Sequence, residues 1–339
     1  MEEMRTRLSL QDHAVLHTRT TDFPGNYVGY NDAWDFDKFK KNFTVKLIRK
    51  EENVLEFDMV GIDAAIANAF RRILIAEVPT MAVEKVIFHN NTSVIPDEIL
   101  ASRLGLIPIK ADPKLFEFRE PGDENGSPEN TLEFHLKVRC SKRPHAPKDA
   151  TSRDDLLVHH SVYSGDIKWI PIGSQETMFK EEDVGPVDKD ILIAKLQPGH
   201  EVDIRMQCVK GIGRDHAKFS PVSPVSYRLL PEIILTKPIM NEDAIRLQDC
   251  FSQGVIEIEE TKGGKVAKVV NPRMDTCSRN VLRHEDLKPF VKMQRVRDYF
   301  IFVIESTGAL SPDILFGEAI GILKRKCKSF LDELDSDKK

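Results

Sequence analysis

Hydrophobic and polar positions follow helical and strand periods along this chain, and one stretch has almost no polar face. From Gly61 to Pro79 it reads Gly-Ile-Asp-Ala-Ala-Ile-Ala-Asn-Ala-Phe-Arg-Arg-Ile-Leu-Ile-Ala-Glu-Val-Pro. At about 100° per residue, Ile62, Ile66, Ala69 and Ile73 form one stripe, widened by Phe70 and Leu74 on one flank and by Ala65 and Ala76 on the other. Opposite lie Ala64, Asn68, Arg71, Arg72 and Ile75, whereas an ordinary surface helix carries charge across that whole half. Gly61 breaks the preceding element, Asp63 suits the positive N-terminal end, and Pro79 ends the helix by restricting the residue before it. Two readings fit this pattern. It is a core helix of an α/β domain, or it packs on its own sheet by one face and on a second chain by the other. In the second reading Arg71 and Arg72 offer forked donors to carboxylates or carbonyls across that contact.

Elsewhere the pattern predicts strands over 43–48, 54–60, 81–88 and 132–138, and strand-rich segments over 162–172 and 190–209. Asp97 opens a short helix over 98–104 that Gly105 closes. Residues 229–278 read as a small module with a helix over 242–250 and a hairpin, 255–258 and 266–270, around Gly263-Gly264. A buried strand over 299–305 turns at Gly308, and Ser311 and Pro312 open a last helix. In that helix Phe316, Ile320, Leu323, Cys327, Phe330 and Leu334 recur at alternating spacings of four and three, a coiled-coil-like seam. Residues 1–40 are polar with scattered aromatics (Tyr30, Trp34, Phe36, Phe39) and read as an extended arm. Residues 112–130 and 141–155 read as polar loops, and 332–339 as a charged tail.

Composition narrows the classes. A chain of 339 residues, 41% hydrophobic and 30% charged, has the material for a globular core in one to three domains. The formal net charge of -5 argues against a general nucleic-acid binder. No stretch is long and apolar enough to span a membrane, and the N-terminus lacks the apolar core of a signal peptide. Five scattered cysteines without a Cys-x-x-Cys pair favour neither a disulfide framework nor a zinc ribbon, and point to a reducing compartment.

The search for chemistry finds little. No Walker loop occurs, and Gly211-Ile-Gly213 lacks the third glycine of a dinucleotide site. His216 beside Asp215 admits acid–base work, but no serine or cysteine has a nucleophile's context, so a structural histidine is the preferred reading. His159-His160 lacks metal-ligand spacing, and Cys250 and Cys277 alone cannot hold an iron–sulfur cluster. The basic run Lys324, Arg325, Lys326, Lys328 reads either as a nuclear import signal or as a solvated helix face. No catalytic, cofactor-binding or metal-binding residue is expected, and the two association-rich helices favour an interaction protein over an enzyme.

Four segments carry a family resemblance. Asn68-Ala-Phe-Arg-Arg-Ile-Leu-Ile-Ala-Glu-Val-Pro79 resembles the signature helix of the α-type subunits of cellular RNA polymerases, a family that includes bacterial α and its archaeal counterpart. Asp97-Glu-Ile-Leu-Ala-Ser-Arg-Leu-Gly-Leu-Ile-Pro108, Lys210-Gly-Ile-Gly-Arg-Asp-His-Ala-Lys-Phe-Ser-Pro221 and Val303-Ile-Glu-Ser-Thr-Gly308 continue it in family order. Through Thr21-Asp-Phe-Pro-Gly-Asn-Tyr27 and Phe57-Asp-Met-Val-Gly-Ile-Asp63 it is most similar to the larger α-like branch shared by eukaryotic RNA polymerases I and III.

The resemblance implies an α+β fold in which a discontinuous dimerisation domain, 41–86 and 291–335, is interrupted by a strand-rich insert domain, 87–228. Residues 1–40 are the arm. Residues 229–290 correspond to a degenerate ferredoxin-like module with no cluster, since only Cys250 and Cys277 stand there. The insert holds only Cys140 and Cys208, so the zinc loop of the polymerase II counterpart is not expected. It also implies a non-catalytic scaffold in the nucleus and nucleolus, present in the cytosol during assembly, that serves synthesis of ribosomal RNA precursors, 5S rRNA and tRNA. Its partners are a smaller α-like subunit and the two largest subunits of polymerases I and III, with no sequence-specific nucleic-acid contact. Phe70, Ile73, Phe316, Ile320, Leu323, Cys327 and Phe330 are then expected at the heterodimer seam, and Asn68, Arg71 and Arg72 at a large subunit. Three alternatives remain at this level: an α-like subunit of another nuclear or archaeal-type polymerase, a metal or redox protein using the small module, and an autonomous enzyme.

Overall fold

Alternation along Thr131–Arg139 and Glu201–Gly211 sets the larger sheet. Leu132, Phe134, Leu136 and Val138 point to one face and are buried, as are Val202, Ile204, Met206 and Cys208. The antiparallel register places Phe134 opposite Met206 and Leu136 opposite Ile204, so the two rows share one face. Thr80–Asn91 pairs on the far side of Glu201–Gly211, and Ile167–Ile170 pairs outside Thr131–Arg139, making four strands. Helix Asp97–Gly105 adds the buried side chains of Leu100 and Leu104 to the same core.

The structure, a computed structural model, describes residues 1–31, 33–123, 125–144 and 152–336. Asp32, parts of the two polar loops (Glu124 and 145–151) and the end of the charged tail (337–339) lie outside the described residues. The chain is an α+β protein of two compact units. One comprises Met1–Arg49, Glu56–Asn68 and Ser226–Val303; the other comprises Lys50–Leu55, Ala69–Val225 and Ile304–Lys339 and contains the four-stranded sheet.

The first unit holds most of a six-stranded sheet. Its order is Val15–Leu16, Arg7–Leu10, Val291–Ser306, Val54–Val60, Thr44–Lys50, with Val222–Leu235 also pairing with Val291–Ser306. Phe57 stacks on Phe302 at 5.3 Å, and Tyr227 meets both Phe300 and Phe302. Asp58, 1% exposed, accepts two hydrogen bonds from Arg273 Nη1 (2.8 and 2.9 Å) and one from Tyr299 Oη (2.8 Å), while Arg273 Nη2 donates to Glu56. Helix Asn241–Asp249 and the hairpin Ile256–Thr261 and Gly264–Val269 enclose a small core with Leu247, Val255 and Val281.

Several sequence expectations change. The arm is partly regular: Arg7–Leu10 joins the sheet antiparallel to Val291–Ser306, and Phe23 is buried beneath Arg297, although Trp34 and Phe36 remain exposed. The strand expected over 299–305 starts at Val291, because Arg295, Arg297 and Asp298 mask its first half. Val222–Leu235 is hidden in the sequence by Pro224 and Pro231, residues that local rules keep out of central strands. The segment over 162–172 is two strands, Ser161–Tyr163 and Ile167–Ile170, separated by a 3-10 turn at Ser164–Asp166.

Candidate assembly interface

Helix Ala64–Ala76 buries Ala67, Phe70, Ile73 and Leu74. The buried stripe is therefore centred on Ala67, Phe70 and Leu74, not on Ile66 and Ala69 as the wheel predicts. Ile66 is 37% exposed, while the small Ala67 is fully enclosed. Tertiary contact chose the flank that the wheel treats as secondary, because a nearly all-apolar helix leaves several stripes of equal hydrophobicity. The open arc runs through Ala65, Arg72 and Ile75, with Asn68, Ala69 and Ala76 half-buried along it. Arg71 is half-buried and lies about 100° round the helix from Arg72. Asn68 lies about 40° from Arg72 and about 60° from Arg71, so the three share one broad arc with half-buried Arg71 at its edge.

The helix end is held by the segment after Glu201–Gly211. Arg214 N–H donates to Ala76 O at 2.9 Å, satisfying one of the orphan carbonyls of a helix C-terminus. Gly213 permits that approach: a Cβ there would lie 2.2 Å from Ile75 O. A Cβ on Gly211 would lie 2.6 Å from the ring of buried Phe219. Thr80 Oγ1 donates to Phe219 O, and Lys218 Nζ donates to Val83 O and pairs with Glu84. His216 Nδ1 accepts the Lys218 N–H at 3.1 Å, a turn-capping role that accounts for this histidine structurally. The glycines and the lysine of this motif are therefore a clamp on the helix end.

The closing helix, Pro312–Ser336, buries Leu315, Ala319 and Ile322 at i, i+4 and i+7. Phe316 is half-buried, its ring 5.3 Å from that of Phe70. Glu77 receives Lys326 Nζ at 2.6 Å and lies 3.4 Å from Arg214, joining helix and clamp. From Lys324 to Ser336 every residue is exposed. At 1.5 Å per residue this is about 20 Å of helix that the described residues of its own chain leave uncovered. Ile320, Leu323, Cys327, Phe330, Leu331 and Leu334 fall within an arc of about 100° on that helix. Phe330, Leu331 and Leu334 are 63, 60 and 45% exposed.

Of the residues expected at a seam, Ile320, Cys327 and Phe330 are thus exposed, and Phe316 and Leu323 half-buried. Phe70 and Ile73 are 8 and 3% exposed, their surface already taken up within the chain. The spacing rule finds the closing-helix positions; it misses Leu331, which lies off the alternating sequence of fours and threes but on the same face.

Burial pushes up the thiols of Cys140, Cys250 and Cys277. Among the described residues all five cysteines are free, and no group of three His, Cys, Asp or Glu is placed to hold a metal ion. No helix there is long and apolar enough to cross a membrane.

The sequence profile of the RNA polymerase Rpb3/Rpb11 dimerisation domain matches residues 56–327. The chain is 60% identical to the "DNA-directed RNA polymerases I and III subunit RPAC1" of Bos taurus, over 99% of this chain and 97% of that protein. It is 46% identical to the protein of the same name from Saccharomyces cerevisiae, over 96 and 97%. It is 32% identical to the "DNA-directed RNA polymerase II subunit rpb3" of Dictyostelium discoideum, over 83 and 91%. The profile's match over most of the chain, from the strand before helix Ala64–Ala76 into the closing helix, makes this chain a member of the Rpb3/Rpb11 dimerisation-domain family of RNA polymerase subunits.

Proposed function

We propose that this chain is a non-catalytic scaffold subunit of the nuclear RNA polymerases I and III, in which it pairs with a smaller α-like subunit and anchors the two largest subunits. The observation that carries the reading is likeness over nearly the full length to subunits named for those two polymerases. The uncovered apolar end of Pro312–Ser336 supports the pairing, since an exposed seam of that length needs a partner helix. Residues 41–86 and 291–335 form the discontinuous dimerisation domain, 87–228 the insert, and 229–290 a ferredoxin-like remnant without a cluster. Phe316, Ile320, Leu323, Cys327 and Phe330 face the smaller subunit, and Phe70 and Ile73 back them from within the chain. Asn68 and Arg72 face a large subunit, with Arg71 on their flank. The site of action is the nucleus, including the nucleolus.

Native affinity purification of the tagged chain, with co-purifying chains identified, tests the reading. The smaller α-like subunit and the two largest subunits of both polymerases are expected. Recovery of polymerase II subunits instead would overturn the assignment. In the same experiment Arg72→Ala is expected to keep the small partner and lose the large chains. Loss of the small partner would show that the two faces are reversed.

A further inference from the structure

Away from these helices, Thr44–Lys50 closes one end of the six-stranded order, and among the described residues no strand pairs with its outer side. Proteins blunt such an edge with proline, with a very short strand, with a covering segment or with charge. Thr44–Lys50 is seven residues long, has neither proline nor glycine, and is exposed at every position, so nothing in the chain lies over it. Val45 and Leu47 stand on one face of the strand, Lys46 and Ile48 on the other, and all four are exposed. Its blunting device is positive charge. Between Asp37 and Glu51 the chain runs through six cations and no carboxylate, in a protein of net charge -5. Lys50 is paired with Asp313, and Lys38 lies over the Tyr30 ring. Lys46, and Lys40 and Lys41 in the last turn of the helix that leads into the strand, make no ion pair among the described residues. Positive charge on an edge repels a second copy of the same edge, and it attracts a strand of the opposite sign.

We propose that this edge receives an extended acidic segment of a partner chain, added as a further strand along Thr44–Lys50, with a carboxylate at Lys46 and apolar side chains on Val45 and Leu47. The open edge offers main-chain donors and acceptors in the spacing of another strand, and the alternation of its side chains sets the alternation of the segment it takes. A second copy fits worse, because it sets the same cations against themselves. A nucleic-acid strand fits worse too, since its phosphates leave Val45, Leu47 and the main-chain groups of the edge without partners. This surface is separate from the seam on the closing helix and does not depend on what covers that seam.

The test measures hydrogen exchange of the amides over 44–50 in the full chain. The probes are a heptapeptide alternating valine and glutamate and its counterpart alternating valine and lysine. The glutamate peptide is expected to slow exchange over 44–50. The lysine peptide has the same strand pattern and is expected to bind at least about tenfold more weakly, since attraction by the exposed cations becomes repulsion. Lys46→Glu is expected to narrow or invert that preference, read from the same amides. If that variant fails to fold, the two peptides on the unaltered chain still decide. Equal protection by both peptides, or protection by neither, overturns the proposal. So does protection that rises with the concentration of the chain before any peptide is added, which would make the occupant a second copy. Protection by single-stranded oligothymidylate equal to that by the glutamate peptide would overturn it as well, in favour of a nucleic-acid surface.

Discussion

Asp58 shows how much a single residue can hold together without announcing itself. A carboxylate this deeply buried is tolerable only when its charge is met, and Arg273 and Tyr299 meet it with three hydrogen bonds. Burial first, and then the bond to Asp58, pushes the Tyr299 hydroxyl above its ordinary range. Asp58→Asn is expected to lower the unfolding free energy by about 3 kcal/mol, against about 1 kcal/mol for Glu56→Gln, both read from urea midpoints. Equal effects would show that the buried carboxylate is not the centre of the network. Nothing in the sequence points to this: Asp58 stands mid-strand and Arg273 is 215 residues away. Asp203 gives a pH test. Hydrogen bonds from Lys137 and then His135 hold it at about 2, below the 3.8 of a free aspartate. A depressed folded pKa adds stability above the unfolded value, and that stability is lost as pH falls through the folded one. Denaturation midpoints should therefore drop between about pH 4 and pH 2. Asp203→Asn should flatten part of that slope, and an unchanged slope would refute the assignment. Asp313, held at about 2 by Lys50 and then Ser311, contributes in the same window.

Among the elements, the two helices are legible to different depths. The closing helix has a polar side to contrast with its seam, so spacing alone locates its exposed apolar face. Helix Ala64–Ala76 offers no such contrast, and the predicted stripe sits one flank away from the buried one. Its clamp looks like a mere turn in the sequence, because the reason for Gly213 is a carbonyl more than a hundred residues earlier in the chain. Leu323→Ala combined with Phe330→Ala is expected to leave the melting temperature of the isolated chain nearly unchanged, since Phe330 is mostly solvated there and Leu323 only half-buried. The same pair should weaken association with the smaller α-like chain by at least about tenfold in a size-exclusion or pull-down titration. Undiminished association would place the interface elsewhere on the surface.

For the whole molecule, local pattern reveals most strands but not their assembly. The long central strand, Val291–Ser306, receives partners from the beginning, the early part and the middle of the chain, a closure that only tertiary structure displays. The order of four family motifs conveys that discontinuity where periodicity cannot. At one end of the six-stranded sheet, Thr44–Lys50 is exposed at all seven positions, with Val45, Leu47 and Ile48 at 49, 64 and 48%. For a chain waiting to be assembled this is a colloidal hazard: two copies can zip edge to edge, and like charges such as Lys46 hold them apart. Those charges act over about 10 Å at 0.1 M salt and about 3 Å at 1 M. Added salt should therefore make solutions of the isolated chain scatter more light, and Leu47→Lys should abolish the rise. Scattering indifferent to salt would clear this edge of blame. If the rise is seen, the fate of freshly made protein depends on the ionic strength in which it waits as well as on the speed with which it is claimed.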